Sequence, residues 1–312
     1  MSLGQVRWKG VILLEKLLVV GASGLLGSKV FSLAGGKYDT RGTCNPEADG
    51  CPSLRLDEMD IGSKEDVDRI FDKLRPDIVI LTAAMTNVDA CERTPSLANR
   101  VNASGPGLVA RACRRTGARL IHLSTDYVFD GMKTRGYTEG DVPRPISVYG
   151  SSKLAGEKAV MNELEGAIVA RTAVLYGWNN LEGKDCFVSW VLRKLRGKEK
   201  ATLFKDQRIS PTFADDLAAA LLGLAQRNVS GLYHVAGPDC LDRPACGRLI
   251  AQVFGLDENL VIPVESQSVS LPARRPKYSC LDSSKLEKLL NRKMVSFEDG
   301  LRTMKEQELR KR

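Results

Sequence analysis

The stretch that decides the fold is Lys16-Leu-Leu-Val-Val-Gly-Ala-Ser-Gly-Leu-Leu-Gly27, which changes its periodicity within a single turn. Lys16 to Val20 is a short leucine and β-branched run that reads as a buried strand, and Leu25 to Leu33 carries apolar residues at helical spacing. Glycines at 21, 24 and 27 punctuate the junction. They permit a tight turn and close backbone approach, leaving amide groups at the helix N-terminus free to hold a pyrophosphate. Gly21, Ser23, Gly24, Leu25, Leu26 and Gly27 are therefore candidate cofactor-binding residues, although the glycines are spaced three and three rather than two and three.

Outward from this motif the alternation continues. Thr40 to Cys44 reads as a second strand, Lys64 to Leu74 as an amphipathic helix and Ile78 to Leu81 as a buried strand. Ala98 to Thr116 reads as one helix and Leu120 to Ser124 as the next strand, with Ala167 to Ala170 another continuous apolar run. Strands without polar alternation, separated by helices, are covered on both faces, as in a parallel sheet. The expected fold class is α/β, a Rossmann-type doubly wound parallel sheet with a smaller α/β substrate-binding lobe. Residues 1–15 read as an N-terminal extension and 16–175 as the dinucleotide-binding domain. Proline-marked turns and a basic helix at Phe187 to Leu195 place the smaller lobe in 176–207 and 238–312, with 208–237 rejoining the first sheet. A loop with Trp178, Asn179 and Asn180 opens that lobe.

The 312 residues are 43% hydrophobic and 27% charged, a balance that excludes disorder and fibres. Lys and Arg number 46 against 38 Asp and Glu, but the basic residues are scattered and aromatics make up only 6%, so nucleic acid is not an expected partner. The surplus of positive charge suits the steering of a polyanionic ligand. No apolar run approaches the roughly twenty residues of a membrane span, and cytoplasmic residence is the default. Eight cysteines without C-x-x-C spacing and two histidines outside ligand register predict reduced thiols and no metal site.

At the end of the second strand, where an acidic residue would clamp a ribose 2′-hydroxyl, Thr43, Cys44 and Asn45 stand instead. The absence favours NADPH as cofactor, with NADH possible; neither Arg41 nor Arg55 stands at that point. Asp60 and Ile61 suit an adenine contact or, for Asp60, a helix N-cap. Tyr149 and Lys153 lie four apart on a helix face, so the ammonium can stabilise a phenolate and make Tyr149 a general acid. Ser124-Thr-Asp-Tyr127 follows an apolar strand at the carboxyl end of the sheet, where α/β folds place ligands and hydroxyls can meet a substrate oxygen.

The sequence resembles the extended short-chain dehydrogenase/reductase superfamily and, within it, the dTDP-4-dehydrorhamnose reductase family. The glycine triplet and the Tyr149/Lys153 pair mark the superfamily. STDYVFDG at 124–131, VYGSSKLAGEKAV at 148–160, DQRISPT at 206–212, GLYHVAGP at 231–238 and PARRPKYSCLDSSKL at 272–286 are more specific. The resemblance implies a catalytic set of Thr125, Tyr149 and Lys153, with Lys153 also holding the nicotinamide ribose. It implies cofactor contacts at Ala83, Ala84 and Asn102, and substrate contacts at Thr86, Val88, Thr125, Asp126, Tyr127, Gln207, Thr212 and Arg275. The chain departs from the family where Leu81 and Thr82 replace an asparagine, and where Ala173 to Gly177 lacks a tryptophan. The second departure, with LDSSKLE at 281–287, is also similar to the regulatory beta subunit of methionine adenosyltransferase. What the resemblance implies is an NAD(P)H-dependent oxidoreductase of a nucleotide-linked 4-keto-6-deoxy sugar in dTDP-rhamnose biosynthesis, most simply dTDP-4-dehydro-L-rhamnose to dTDP-L-rhamnose, acting as monomer or homodimer. A non-catalytic dinucleotide-binding subunit and a nucleotide-sugar epimerase or dehydratase are the competing expectations.

Overall fold

The computed structural model describes residues 5–8, 11–45, 47, 56–178 and 185–310, so Arg55, Asn179 and Asn180 lie outside the described residues. Its centre is a seven-stranded sheet of β1 (Lys16–Val20), β2 (Asp39–Cys44), β3 (Asp57–Glu58), β4 (Ile78–Leu81), β5 (Arg119–Thr125), β6 (Ile168–Thr172) and β7 (Gly231–His234). The strands run in the order β7-β6-β5-β4-β1-β2-β3, with every neighbouring pair parallel. The order reverses between β1 and β4, the place where doubly wound sheets open a crevice for ligands. Residues 5–8 and 11–14 form an antiparallel pair of their own ahead of β1.

Alternate residues of the central strands bury on opposite faces, as a pleat requires. Leu17, Val19, Ile78 and Ile80 pack against α1 (Leu25–Ala34) and the apolar helix Ala214–Ala225. Leu18, Val20, Val79 and Leu81 meet α2 (Lys64–Leu74) and α3 (Gly105–Thr116) on the other face. Burying each of these side chains contributes roughly 1.5–3 kcal/mol before conformational entropy is subtracted. Ser63 caps α2 by accepting from Asp66 N, and Glu65 and Asp66 complement the dipole of its first turn.

The single helix expected over 98–116 is broken. A helix at Pro95–Asn99 passes through a π-helical turn at Arg100–Ser104 into α3. Pro106 has no N–H to give the carbonyl four residues back, which is that of Asn102, and its ring crowds that carbonyl. The turn widens there, and Gly105 N bonds Arg100 O instead. Helix α4 (Val148–Glu163) seats Gly156 against the freed Asn102 carbonyl, leaving no room for a Cβ.

A second core gathers Tyr176, Val188, Leu192, Leu203, Ile250 and Phe297 beyond β6. Small sheets surround it: 201–204 with 261–264 and 175–176 with 212–213, both parallel, and 208–209 with 241–242, antiparallel. The expectation of reduced thiols fails here. Cys240 and Cys280, separated by 40 residues, are joined by a disulfide with Cα atoms 5.6 Å apart, and Cys44 is also disulfide-bonded. Cys91, Cys113, Cys186 and Cys246 are free.

Candidate active site

Three strand ends meet at the reversal of strand order. After β1, Gly21 takes φ +89°, and a Cβ on it would come within 2.8 Å of Ala83 N, in the loop after β4. A Cβ on Gly27 would strike the Gly21 carbonyl and lie 2.9 Å from Thr82 Oγ1, so both glycines are required by the protein's own packing. Gly24 differs, because a Cβ there meets nothing closer than 3.5 Å. Gly24 is the N-cap of α1 without a side-chain cap, and the first turn carries no acidic residue. The backbone donors of that turn are thus left for an anionic group, which the dipole favours. Thr82, at the position of the family's asparagine, donates to Val20 O at 2.8 Å and Gly21 O at 3.2 Å and ties β4 to β1.

Not every expected cofactor residue faces this cradle. Asn102 is fully buried: its Oδ1 accepts from Met85 N at 2.8 Å, and its Nδ2 donates to Met85 O at 3.0 Å and Ser152 Oγ at 3.2 Å. With its amide spent in this way, Asn102 holds the loop of Ala83, Ala84 and Met85 and does not itself reach the groove. Asp60 is not an N-cap, since Ser63 has that place; its carboxylate closes a turn onto Gly62 N at 2.8 Å and pairs with Arg100 at 2.5 Å. The side chains of Leu26 and Ile61 are core residues, which leaves only their backbones to a ligand. Asn45 is half-buried just past β2, and Ser23 is buried in the glycine turn.

Thr125, Tyr149 and Lys153 converge where β5 ends. Ser147 caps α4 by accepting from Gly150 N, and Gly150 lets the helix press directly on the Tyr127 carbonyl. Burial pushes the Tyr149 phenol above its ordinary pKa and a hydrogen bond with Thr125 pulls it back, with Asp126, Tyr127 and Cys91 adding upward pressure. At neutral pH the phenol therefore holds its proton, as a general acid must. Lys153 Nζ donates to Leu123 O at 2.6 Å, and burial lowers its pKa to about 8 while Glu157 opposes the shift. Beside Thr125, burial raises the Asp126 carboxyl to about 6, offset in part by the hydroxyls of Ser279 and Thr125.

Beyond Tyr127 opens a cleft of about 260 Å³ lined by Phe187, Trp190, Phe204, Gln207, Arg243 and Arg275. Gln207 lines it, its Oε1 accepting from Arg243 Nε at 3.0 Å. Arg275 reaches the same cleft, gripping Asp89 with Nη2 to Oδ2 at 2.6 Å. Asp89 stands on the helix Val88–Arg93, so Thr86, which is exposed, and Val88 border the same region. Thr212 does not line it: fully buried, its hydroxyl bridges Ser210 O and Gly237 N. Sequence reading missed Arg243, Phe187 and Trp190. Arg243 lies 5.1 Å over the Phe187 ring, and the only local signal was an arginine and two aromatics in separate helices.

A model of the RmlD substrate binding domain matches residues 15–310. The chain belongs to this family. The RmlD substrate-binding family includes several reductases similar to this protein. A dTDP-4-dehydrorhamnose reductase of Mycobacterium tuberculosis is 39% identical over 274 residues, 86% of this chain and 85% of that one. A probable low-salt glycan biosynthesis reductase of Haloferax volcanii is 38% identical over 290 residues, 91% and 95% of the two chains. Among solved structures, dTDP-4-dehydrorhamnose reductase from Bacillus anthracis in complex with NADP superposes with a TM-score of 0.85 at 31% identity, covering 94% of this chain and 99% of the other. The pairing of cradle, hydroxyl, tyrosine and lysine in this chain is thus set in a family frame that spans nearly its whole length.

Proposed function

We propose that the protein is an NADPH-dependent reductase of a dTDP-linked 4-keto-6-deoxy sugar, most simply dTDP-4-dehydro-L-rhamnose, and that Thr125, Tyr149 and Lys153 carry the reaction. The observation that carries this reading is the convergence of these three side chains at the end of β5, beside a glycine cradle whose helix N-terminus has no side-chain cap. The cradle fits a dinucleotide, since Gly24 has space where Gly21 and Gly27 have none. NADPH, when bound, supplies the hydride. The chain's own residues do the rest. The amides opening α1 hold phosphate, and Asn102 keeps the Ala83–Met85 backbone in place. Tyr149 gives its phenolic proton to the oxygen of the reduced carbonyl, Thr125 hydrogen-bonds the same oxygen, and the Lys153 ammonium offsets the charge left on the phenol.

Arg243 and Arg275 suit a diphosphate, which a guanidinium fork engages with two parallel bonds, and Phe187 and Trp190 offer faces for a base. Two bonds to Asp89 keep Arg275 aimed along the cleft. We read 16–175 together with 208–237 as the cofactor lobe and the remainder after 175 as the substrate lobe. No described helix is long and apolar enough to cross a membrane. The proposed setting is the cytoplasm, with the enzyme acting as monomer or homodimer.

The test is oxidation of NADPH by purified protein given dTDP-4-dehydro-L-rhamnose, repeated with NADH and with Tyr149→Phe. Sugar-dependent oxidation that falls about a hundredfold or more in the variant, with cofactor affinity kept, is the expected result. Equal rates in the variant would remove Tyr149 from the chemistry. Cofactor binding without any turnover would move the chain to the binding-subunit class.

A further inference from the structure

Behind the proposed reaction centre lies a buried charge cluster that the mechanism above does not use. Helix α4 presents Tyr149, Lys153 and Glu157 at successive turns of one face. Lys153 Nζ donates to the carbonyl of Leu123, and the next residue of β5, Ser124, donates its hydroxyl to Glu157 Oε1 at 2.5 Å. From β6, Arg171 grips the same carboxylate with two bonds, Nε to Oε1 at 2.8 Å and Nη2 to Oε2 at 2.7 Å. Lys153 and Arg171 are each 3% exposed and Glu157 6%. The carboxylate thus pairs with Arg171, bonds the residue just before Thr125, and acts on the Lys153 ammonium, one helical turn away, through space.

We propose that Glu157 is a positioning residue for the reductase: its buried carboxylate, gripped by Arg171, bonded to Ser124 and one helical turn beyond Lys153, supplies the negative charge that keeps Lys153 protonated and holds α4 in register with β5 so that Tyr149 meets Thr125. The inference rests on the reductase reading for its consequence in catalysis, but its electrostatic core is a property of this chain alone. A buried ammonium needs a nearby anion to stay protonated. The charged and titratable groups facing Lys153 and Tyr149 are few. Glu157 comes from the same helix and Arg171 from β6, where it also stacks 5.2 Å over Phe129. His122 and Asp126 come from β5 and the turn after it, Tyr127 from that same turn, and Cys91 from the helix 88–93. His122 is fully buried with both ring nitrogens unpartnered, and burial holds it neutral. Asp126 faces Thr125 and lies on the phenol side. Glu157 is the anion that acts on Lys153, and without it Lys153 would lose that charge and Arg171 its carboxylate partner.

The experiment follows the Lys153 ammonium directly, by the NMR shift of its Cε–Nζ pair through a pH titration of cofactor-free protein. Wild type should titrate near pH 8. Glu157→Gln, nearly isosteric, should lower the midpoint by about one unit or more, the scale of one lost opposite charge at short range. Arg171→Gln should raise it, and Ser124→Ala, which changes no charge, should leave it in place. If Glu157→Gln fails to fold, the upward shift in Arg171→Gln decides; a Lys153 midpoint unmoved in whichever of the two variants folds overturns the proposal. In turnover, Glu157→Gln should lose about tenfold in kcat at pH 8 with KM little changed and recover towards wild type near pH 6.5. A merely structural role would depress activity equally at both. Because the titration is read without substrate, a protein that turns over no sugar would fail the reductase reading while leaving the Glu157 result standing.

Discussion

Asp126 is 2% exposed beside Thr125 with Oδ2 unpartnered, so its carboxylate is held where ionisation is costly. Its pKa rises from 3.8 to about 6. Between those values the native state keeps a proton that the unfolded chain has released, so stability falls as pH rises through the window and stays reduced above it. The ionised group then costs the fold on the order of 1–3 kcal/mol. Asp126→Asn should therefore raise the midpoint of thermal unfolding by several degrees at neutral pH, with the gain shrinking to nothing near pH 4. Thermal denaturation across pH checks this, and a gain that did not depend on pH would place its source elsewhere. Spacing places Tyr149 and Lys153 on one helix face, and it is the STDY segment and the glycine turn elsewhere in the chain that single the pair out as candidates. That Lys153 rests on Leu123 O and backs onto Glu157 was not legible, since neither a carbonyl nor a buried glutamate stands out in a string of residues.

At the scale of the element, the glycine turn separates two demands that look identical in sequence. Gly27 answers to the protein, since a methyl there collides with the Gly21 carbonyl, whereas Gly24 has space around it. Gly27→Ala should lower the unfolding midpoint by several degrees and weaken NADPH binding. Gly24→Ala should leave the midpoint near wild type and reduce NADPH affinity by about tenfold or more, the signature of a glycine kept clear for a ligand. Paired thermal and fluorescence titrations separate the outcomes; equal destabilisation by both would contradict the assignment. The helix through Asn102 teaches the reverse lesson. Its apolar spacing predicts continuity, but Pro106 removes one bond of the ladder and the resulting π-turn aims Asn102 at Met85. The cause was visible in the sequence; its consequence depended on α4 and the loop after β4 packing against that turn.

At the scale of the whole molecule, long-range links tie distant segments of the chain together. Asp89 and Arg275, 186 positions apart, join the helix after β4 to the segment that borders the cleft of Gln207 and Arg243. The disulfide between Cys240 and Cys280 staples that segment to the strand at 241–242. Closing a loop of 40 residues contributes about 4 kcal/mol on the chain-entropy view, an upper figure where the unfolded state is already compact. Cys280→Ser should lower the unfolding midpoint by roughly 5–10 °C. Calorimetry of the variant beside the oxidised wild type checks it, and an unchanged midpoint would show that the bridge adds nothing to the fold. Such a bridge sits uneasily with a reducing cytoplasm, where it would be open to thiol exchange.

What the residues determined by themselves was local. Buried β-branched runs, a glycine junction, the capped helix at 64–74 and the Tyr149/Lys153 spacing each depend on interactions within one or two turns of chain, and these have a readable period. Right-handed, uncrossed connections narrow the strand orders open to these units, and the fold decides among them. The tertiary structure alone decided which side chains share a pocket. Arg243 meets Gln207 across 36 residues, Glu157 meets Ser124 across 33, and two cysteines with no telling spacing become partners. Burial decided the rest, turning Asn102 and Thr212 inward and giving Asp126 and Lys153 their shifted pKa values, because the cost of charge depends on the surrounding medium and no residue carries its surroundings in its name.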